Sequence, residues 1–200
     1  MNERVALDVS GLPLHGSRSA SLSWWGNLGY MLIEGSGFAL AIAVYLYLRS
    51  IAPEWPLGGV VPDLGPGTWM AALLVLSMAP NLLLARWARA GDIVKVRVGI
   101  VFISLLGLAL LGLRVVEFRA LNVSWDSNAY GSIVWLLLGL HTTHLLTDVV
   151  EWWVLGALMF SRHGNNKRRF GDVEDNVVYW SFVTVSWLIV YACIDGVPRW

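Results

Sequence analysis

Charged side chains are scarce in this chain of 200 residues. Asp, Glu, Lys and Arg together make up 14% of the sequence, whereas a typical soluble domain carries about 25%. The 14 basic and 14 acidic residues give a formal net charge of zero, so the overall charge favours neither a nucleic acid nor an acidic partner. The composition therefore argues against a soluble domain and against a protein that binds nucleic acid.

Cysteine and the common catalytic motifs are also lacking. Cys193 is the single cysteine, which excludes a disulfide within the chain and any cysteine-based metal site. The sequence contains no Walker loop, zincin His pair, nucleophile elbow or GxGxxG element. Residues 1–23 lack the apolar stretch of about 7 to 15 residues that marks a secretory signal. We therefore expect residues 1–23 to form a polar N-terminal arm that is retained, followed by a transmembrane domain of residues 24–200.

Apolar residues, in contrast, make up 56% of the chain, and the mean hydropathy is +0.61. A helix needs roughly 20 mainly apolar residues to cross a bilayer core about 30 Å thick. Five segments meet this length: Trp24 to Leu48, Thr68 to Arg86, Val98 to Phe118, Asn128 to Phe160, and Val177 to Val197. The fold class predicted is all-α, an integral membrane bundle of five transmembrane helices.

The segments between the spans also carry local signals. Residues 161–176 are predicted to be a basic loop, and Asp126 or Ser127 is predicted to cap the fourth helix. In the first span, small residues predict close approach of a neighbouring helix, because they let two helix backbones come together. These residues are Gly26, Gly29, Gly35, Ser36 and Gly37.

The distribution of Lys and Arg predicts the orientation, since cytoplasmic segments carry an excess of these residues. One side of the membrane receives Arg4, Arg18, Arg86, Arg89, Lys95, Arg97, Arg162, Lys167, Arg168 and Arg169. The other side receives Arg49, Arg119 and Arg199. We expect the N-terminus inside and the C-terminus outside.

Glu34, His141 and His144 are predicted to form a buried polar network. A charged side chain in the middle of a bilayer costs about 2.5 to 3.5 kcal/mol on insertion scales, so each should face the bundle and have a partner. Glu34 lies near the middle of the first span, and the two histidines lie three residues apart on one face of the fourth. One of the two histidines is the natural partner of Glu34, and the sequence leaves open which.

Asp148 and Glu151 extend the face of the fourth span that carries the two histidines. This face resembles a set of metal ligands, formed by His141, His144, Asp148 and Glu151. However, helices that bind metals in bundles rely on a matching Glu-x-x-His pair on another helix. No second span carries such a pair. We therefore expect no metal site in this chain and favour a hydrogen-bonded network or a subunit contact, with a proton or ion path as a further alternative.

Arg114 and Glu117 lie three residues apart near the outer end of the third span. This spacing places them on one helical face, where they are predicted to form a structural ion pair. The pattern predicts no catalytic residue.

Two spans carry motifs that are typical of one family. In the last span, Glu174 is followed by Tyr179, Trp180, Phe182, Val183, Val185, Trp187, Leu188 and Tyr191. In the fourth span the matching elements are Tyr130, Gly131 and Ser132, and then Gly139, Leu140, His141 and His144. With these motifs the chain resembles the cytochrome c oxidase subunit III family of the haem-copper oxidases from Trp24 to Tyr191. In this resemblance Glu174, Tyr179, Trp180, Phe182 and Trp187 are the family signature.

The resemblance places Glu34 at the family's buried carboxylate and also shows departures. Arg114 stands where the family often has Gln, and Ser181 and Thr184 replace a His and an Asp. The family's long form has seven helices, so this chain looks like a short, five-helix form without the first two. The long form binds structural phospholipid, and the resemblance leaves open whether the short form does.

The resemblance implies an accessory, non-catalytic subunit III of a respiratory haem-copper terminal oxidase that uses cytochrome c or quinol. It implies no cofactor in this chain, because haem and copper belong to the partner, catalytic subunit I. The expected roles are stabilisation of that subunit and support for proton uptake and oxygen access. The other expected partners are further subunits of the complex and membrane lipids, and the expected location is a bacterial-type cytoplasmic (inner) membrane.

Other functions remain open at this stage. The nearest is an accessory subunit of a nitric oxide reductase. A different class is an independent membrane metal or haem protein that uses His141, His144, Asp148 and Glu151. A third is a small proton or ion translocator centred on Glu34.

Overall fold

A computed structural model describes residues 22–162 and 164–199 of the chain. Within these residues the secondary structure is helical, without strands, and comprises five long helices: α1 (Leu22–Ile51), α2 (Leu64–Arg89), α3 (Ile93–Arg119), α4 (Ala129–Phe160) and α5 (Lys167–Tyr191). A π-helical turn (Ala192–Gly196) and a short 3-10 turn (Val197–Arg199) follow α5. Most of the predicted N-terminal arm, including Arg4 and Arg18, lies outside the described residues.

All five helices are long and apolar enough to cross a membrane. This confirms the all-α fold and the count of five predicted spans, and the chain is a multi-pass membrane protein. The orientation of its termini remains a prediction. Because successive helices run in opposite directions, the connections 90–92 and 161–166 lie at the same end as the start of α1. We call this the basic end, since Arg86, Arg89, Lys95, Arg97, Arg162, Lys167, Arg168 and Arg169 lie there.

The helices pack around α5. It contacts α2, α4 and α1, while α3 contacts α2 and α4, and α1 lies across α4 and α5. Trp152, Trp180 and Trp187 are fully buried at these contacts. A polar contact also joins α2 to α5: Asn81 Nδ2 donates a hydrogen bond to Val177 O at 3.0 Å. Such bonds matter in a membrane, where lipid tails are as apolar as the helix faces and burial alone does not drive helices together.

The start of α5 differs from the prediction. The helix begins at Lys167, ten residues before the predicted start at Val177, so most of the predicted basic loop is helical. Asn166 caps it by accepting a hydrogen bond from Arg168 N at 3.1 Å, and Arg169 pairs with Asp172 one turn on at 3.0 Å. Hydropathy measures how favourably a segment enters lipid. It does not detect a polar segment that is helical because it has its own N-cap and ion pair.

The cap of α4 also differs from the prediction. Neither Asp126 nor Ser127 caps this helix. The capping residue is Asn128, whose side-chain Oδ1 accepts from Gly131 N at 2.8 Å, while Ser127 Oγ donates to Ser124 O within the preceding turn. Asn and Asp are equally good caps, so propensity alone does not choose between neighbouring positions.

The glycines of α1 make fewer close contacts than predicted. A Cβ at Gly35 would lie 3.7 Å from the Phe182 ring, an ordinary contact. At Gly26 and Gly29 a Cβ would meet no described atom within 4 Å. Close packing within the described chain therefore does not require these two small residues.

Candidate functional site

Glu34 of α1 meets two other helices inside the bundle. Tyr179 Oη of α5 donates to Glu34 Oε2 at 2.8 Å, and His144 Nε2 of α4 lies 3.3 Å from Glu34 Oε1. The side chains of His144 and Glu34 are only 9% and 10% exposed. Of the two histidines considered for Glu34, the structure thus places His144 beside it. The two carboxylate oxygens of Glu34 have different partners on different helices.

The polar contacts around Glu34 continue along α4 and α5 toward the basic end. The Tyr30 and Tyr179 rings stack with their centroids 6.0 Å apart. Asn176, with its amide oriented to suit both neighbours, donates to Glu151 Oε2 at 2.6 Å and accepts from Trp152 Nε1 at 3.3 Å. We call Glu34, His144, Tyr179, Tyr30, Glu151 and Asn176 the Glu34 cluster. These groups lie between α1, α4 and α5 in two sets of contacts, one around Glu34 and one around Asn176.

Arg114 of α3 is the centre of a second buried polar region. Its Nη1 donates to Glu117 Oε2 at 2.6 Å, and the two side chains are 1% and 6% exposed. Its Nη2 lies 2.8 Å from His141 Nδ1, and the guanidinium carbon lies 4.0 Å from the centroid of the Trp187 ring. The guanidinium therefore has a charged partner, a hydrogen-bonded imidazole and an aromatic face. Among the described residues, its Nε finds no hydrogen-bond partner.

The end of the chain closes this second region. Asp195, in the π-helical turn after α5, is 3% exposed, and its carboxylate is 4.0 Å from Arg199. Arg199 also donates to Asp195 O and to Pro62 O, which ties the C-terminal turn to the connection before α2. The carboxylates of Asp195 and Glu117 both approach Gly67 in the first turn of α2. A helix N-terminus carries partial positive charge, which favours two carboxylates there.

The family-signature residues of α5 each contact a different part of the bundle. Glu174 pairs with Arg89 of α2 at 2.9 Å. Trp180 Nε1 donates to Ser77 Oγ of α2 at 2.7 Å. Phe182 packs against Phe38 of α1 with ring centroids 6.4 Å apart. Together with the Tyr179–Glu34 and Trp187–Arg114 contacts, these residues join α5 to α1, α2 and α3.

The four residues of the metal alternative do not form a ligand set. His141 has both ring nitrogens occupied, Nδ1 by Arg114 and Nε2 by Val183 O at 3.0 Å. His144 Nδ1 faces the carbonyl of Leu140 at 2.6 Å. Residues 22–162 and 164–199 contain no group of three or more His, Cys, Asp or Glu side chains placed to hold a metal ion. The metal alternative thus has no geometric support in this part of the chain.

Among the described residues outside the spanning helices, Asp92 has a shifted pKa. Asp92, in the connection between α2 and α3, accepts a hydrogen bond from Lys95 N at 3.2 Å and pairs with Lys95 Nζ at 2.7 Å. These two contacts lower the pKa of the Asp92 carboxyl below its ordinary value of 3.8. Asp92 therefore acts as an ionised cap of α3 at neutral pH.

Several contacts could not be found from the sequence. The signature motif of α5 contains Tyr179 and Trp187 but predicts a partner for neither, and no pattern in the sequence points to Asn176. The spacing along α3 pairs Arg114 with Glu117 alone, although Arg114 also contacts His141. In each case the missing partner lies on another helix, and the spacing of residues along one helix carries no information on the rotation of its neighbour.

Comparisons with known proteins agree with the motifs of the fourth and fifth spans. The family described as "Cytochrome c oxidase subunit III" has a sequence model that matches residues 14–196. A cytochrome c oxidase subunit 3 from Thermostichus vulcanus is 25% identical over 177 residues, which cover 87% of this chain and 87% of that protein. The subunit 3 of Synechocystis is 26% identical over 86% of this chain and 75% of its own length. That of Triticum aestivum is 25% identical over 96% and 75%.

Proposed function

Because this chain belongs to the cytochrome c oxidase subunit III family, we propose that it is the non-catalytic subunit III of a respiratory haem-copper terminal oxidase. Its role is to stabilise the catalytic subunit during turnover and to support proton uptake and oxygen access. The partner subunit I carries the haem and the copper. The N-terminus and the basic end face the cytoplasm of a bacterial-type inner membrane.

One observation carries this proposal most directly. The signature residues of α5 are used to hold Glu34 and Arg114 inside the bundle, through Tyr179 at 2.8 Å and Trp187 at 4.0 Å. These residues contact buried polar side chains, and both histidines of α4 are engaged by protein groups. Such an interior suits a supporting subunit, since a redox centre needs free ligands.

The test is purification of the chain in mild detergent with its native partners. We expect a complex that contains a haem- and copper-binding subunit. A strain without the chain should retain initial oxidase activity per haem but lose it faster during turnover. Immediate and complete loss of electron transfer in an otherwise intact complex would contradict the supporting role, as would stoichiometric haem, iron or copper on the isolated chain.

Activity assays distinguish the remaining alternatives. Oxygen consumption with cytochrome c or with a quinol identifies the electron donor. Reduction of nitric oxide, without oxygen reduction, would place the chain in a nitric oxide reductase instead. Reconstitution of the chain alone in liposomes tests the translocator, for which proton flux through the chain by itself is required.

A further inference from the structure

Asp148 is a fully buried carboxylate in the interior of α4. Its side chain is 0% exposed, and it lies about 18 Å along the helix axis from Phe160, at 1.5 Å per residue. Its Oδ2 has no hydrogen-bond partner among the described residues. A buried polar group without a partner costs about 1 to 3 kcal/mol, and more when it is charged. An ionised Asp148 would therefore be costly here.

Glu151 lies one turn further along α4 and shares a neighbour with Asp148. Asn176 of α5 donates to Glu151 Oε2 at 2.6 Å and is also a hydrogen-bonding neighbour of Asp148. Side chains three residues apart on a helix lie on the same face, and both carboxylates use this face of α4 to meet the Asn176 amide. The two acidic side chains are therefore neighbours at the contact between α4 and α5.

Among the described residues, the charged groups that face the two carboxylates are themselves acidic. Asp148 interacts electrostatically with Glu151 of α4 and with Glu34 of α1, and Glu151 interacts with Glu34. Tyr30 of α1 also faces Glu151, while α5 contributes the neutral Asn176. Two carboxyl groups that share a site without a basic partner do not both ionise readily, and one of them keeps its proton.

A cavity at the basic end brings water to one member of this carboxylate pair. It has a volume of ≈ 460 Å³ and lies between the start of α1, the end of α4 and the start of α5. Glu151 and Asn176 are part of its wall, and Glu151 is exposed. Protons from the cavity water therefore have direct access to Glu151, one helical turn from the buried Asp148.

We propose that Asp148 and Glu151 form a proton-binding site, which holds one proton on Asp148 at neutral pH and exchanges it with the water of the cavity. Asp148 keeps the proton because it is buried and its Oδ2 has no donor, whereas Glu151 accepts from Asn176 and faces water. Both residues lie outside the motifs of the fourth span that carry the family resemblance, which end at His144. The proposal goes beyond the supporting function above and does not rest on it, since it needs only residues of this chain.

The test is infrared spectroscopy of the purified complex, because a protonated carboxyl group has a C=O band that is separate from the bands of a carboxylate. Asp148→Asn removes the carboxyl group and keeps a similar shape, so the wild-type spectrum minus the variant spectrum isolates Asp148. Asp172→Asn is the matched control. Asp172 also lines the cavity, but its side chain is 26% exposed and pairs with Arg169 at 3.0 Å, so it is ionised at neutral pH.

We expect the Asp148 difference spectrum to contain the band of one protonated carboxyl group at neutral pH, and the Asp172 difference spectrum to contain none. In heavy water the Asp148 band should shift, because deuterium from the cavity replaces the proton. In Glu151→Gln the band should disappear at a pH lower by about one unit or more than in the wild type, since a neighbouring negative charge is gone.

The comparison of the wild type with Glu151→Gln decides even if Asp148→Asn fails to assemble, because a carboxyl band must then titrate differently in the two proteins. A spectrum without the Asp148 band at neutral pH overturns the bound proton, and a band that does not shift in heavy water overturns its exchange with the cavity. A band that is lost when sodium or potassium is added at constant pH overturns the proton site in favour of a cation site. These outcomes leave the supporting function untouched, since that function is tested by copurification and by inactivation during turnover.

Discussion

Arg114 Nη2 lies 2.8 Å from His141 Nδ1, and this contact joins α3 to α4 in the buried interior of the bundle. The guanidinium is a donor only, so His141 Nδ1 accepts and its Nε2–H donates to Val183 O on α5. One arginine thus fixes the tautomer of a histidine and, through it, the position of a third helix.

The Arg114–Glu117 pair should show strong coupling in a double-mutant cycle. Removing one member leaves the other charge buried without compensation, which costs about 3 to 5 kcal/mol. We expect Arg114→Gln and Glu117→Gln each to destabilise the protein by about that much. The double variant should lose at least about 1 kcal/mol less than the sum, because neither charge remains.

The measurement is equilibrium unfolding in detergent, with the Arg169–Asp172 pair as the control. That pair has the same i, i+3 spacing, but its side chains are 28% and 26% exposed, so its coupling should not exceed about 1 kcal/mol. Additive losses for the Arg114–Glu117 cycle would contradict the buried ion pair.

Gly67 should tolerate no side chain. A Cβ at this position would lie 2.8 Å from Asp195 Oδ2 and 3.3 Å from Glu117 Oε1. Gly67→Ala must displace the buried Asp195 carboxylate, which is 3% exposed, and we expect a loss of about 1 to 3 kcal/mol. Gly65→Ala on the same helix is the control, because a Cβ there meets no described atom within 4 Å. It should be neutral or stabilising by up to about 1 kcal/mol. Equal thermal stability of the two variants would refute the close approach.

Tyr179→Phe should destabilise the bundle by leaving Glu34 Oε2 without its donor at 2.8 Å. A buried group that loses its hydrogen bond costs about 1 to 3 kcal/mol. The control is Tyr47→Phe, since Tyr47 is 63% exposed on the outer face of α1, where changes usually stay within about 0.5 kcal/mol. The comparison is made by thermal unfolding in one detergent, and an unchanged Tyr179→Phe variant would show that the bond contributes nothing.

The fold was largely predictable because a spanning helix is a local property of about 20 residues. Hydropathy misplaced the start of α5, since the segment from Lys167 to Asn176 is too polar for lipid but is helical. For the site, the i, i+3 spacing on α3 predicts a pair between Arg114 and Glu117, whose side chains lie 2.6 Å apart. Spacing left open which histidine faces Glu34, because His141 and His144 share one face of α4. Only the position of α1 along its axis, relative to α4, decides which of the two lies beside Glu34.

The Asp92 cap should make stability depend on acid. Its pKa is lowered in the folded protein by the Lys95 contacts, so its stabilising effect is present above the unfolded pKa and is lost as the pH falls through the folded value. We expect a drop in melting temperature below about pH 3.8 that is smaller in Asp92→Asn, which keeps a capping side chain but cannot ionise. Asp92→Ala, which has no capping side chain, should be less stable than the wild type at every pH. Identical acid profiles for the wild type and Asp92→Asn would contradict the ionic part of the cap.

The orientation of the bundle is open to a direct test with single cysteines. The native Cys193 is buried and gives a low background, while positions 126 and 162 lie in connections at opposite ends. If the basic end is cytoplasmic, Asp126→Cys should react with a membrane-impermeant maleimide in intact cells, and Arg162→Cys only after permeabilisation. The expectation follows from the excess of Lys and Arg at one end, which opposes transfer of those segments across the membrane. The opposite labelling pattern would invert the topology.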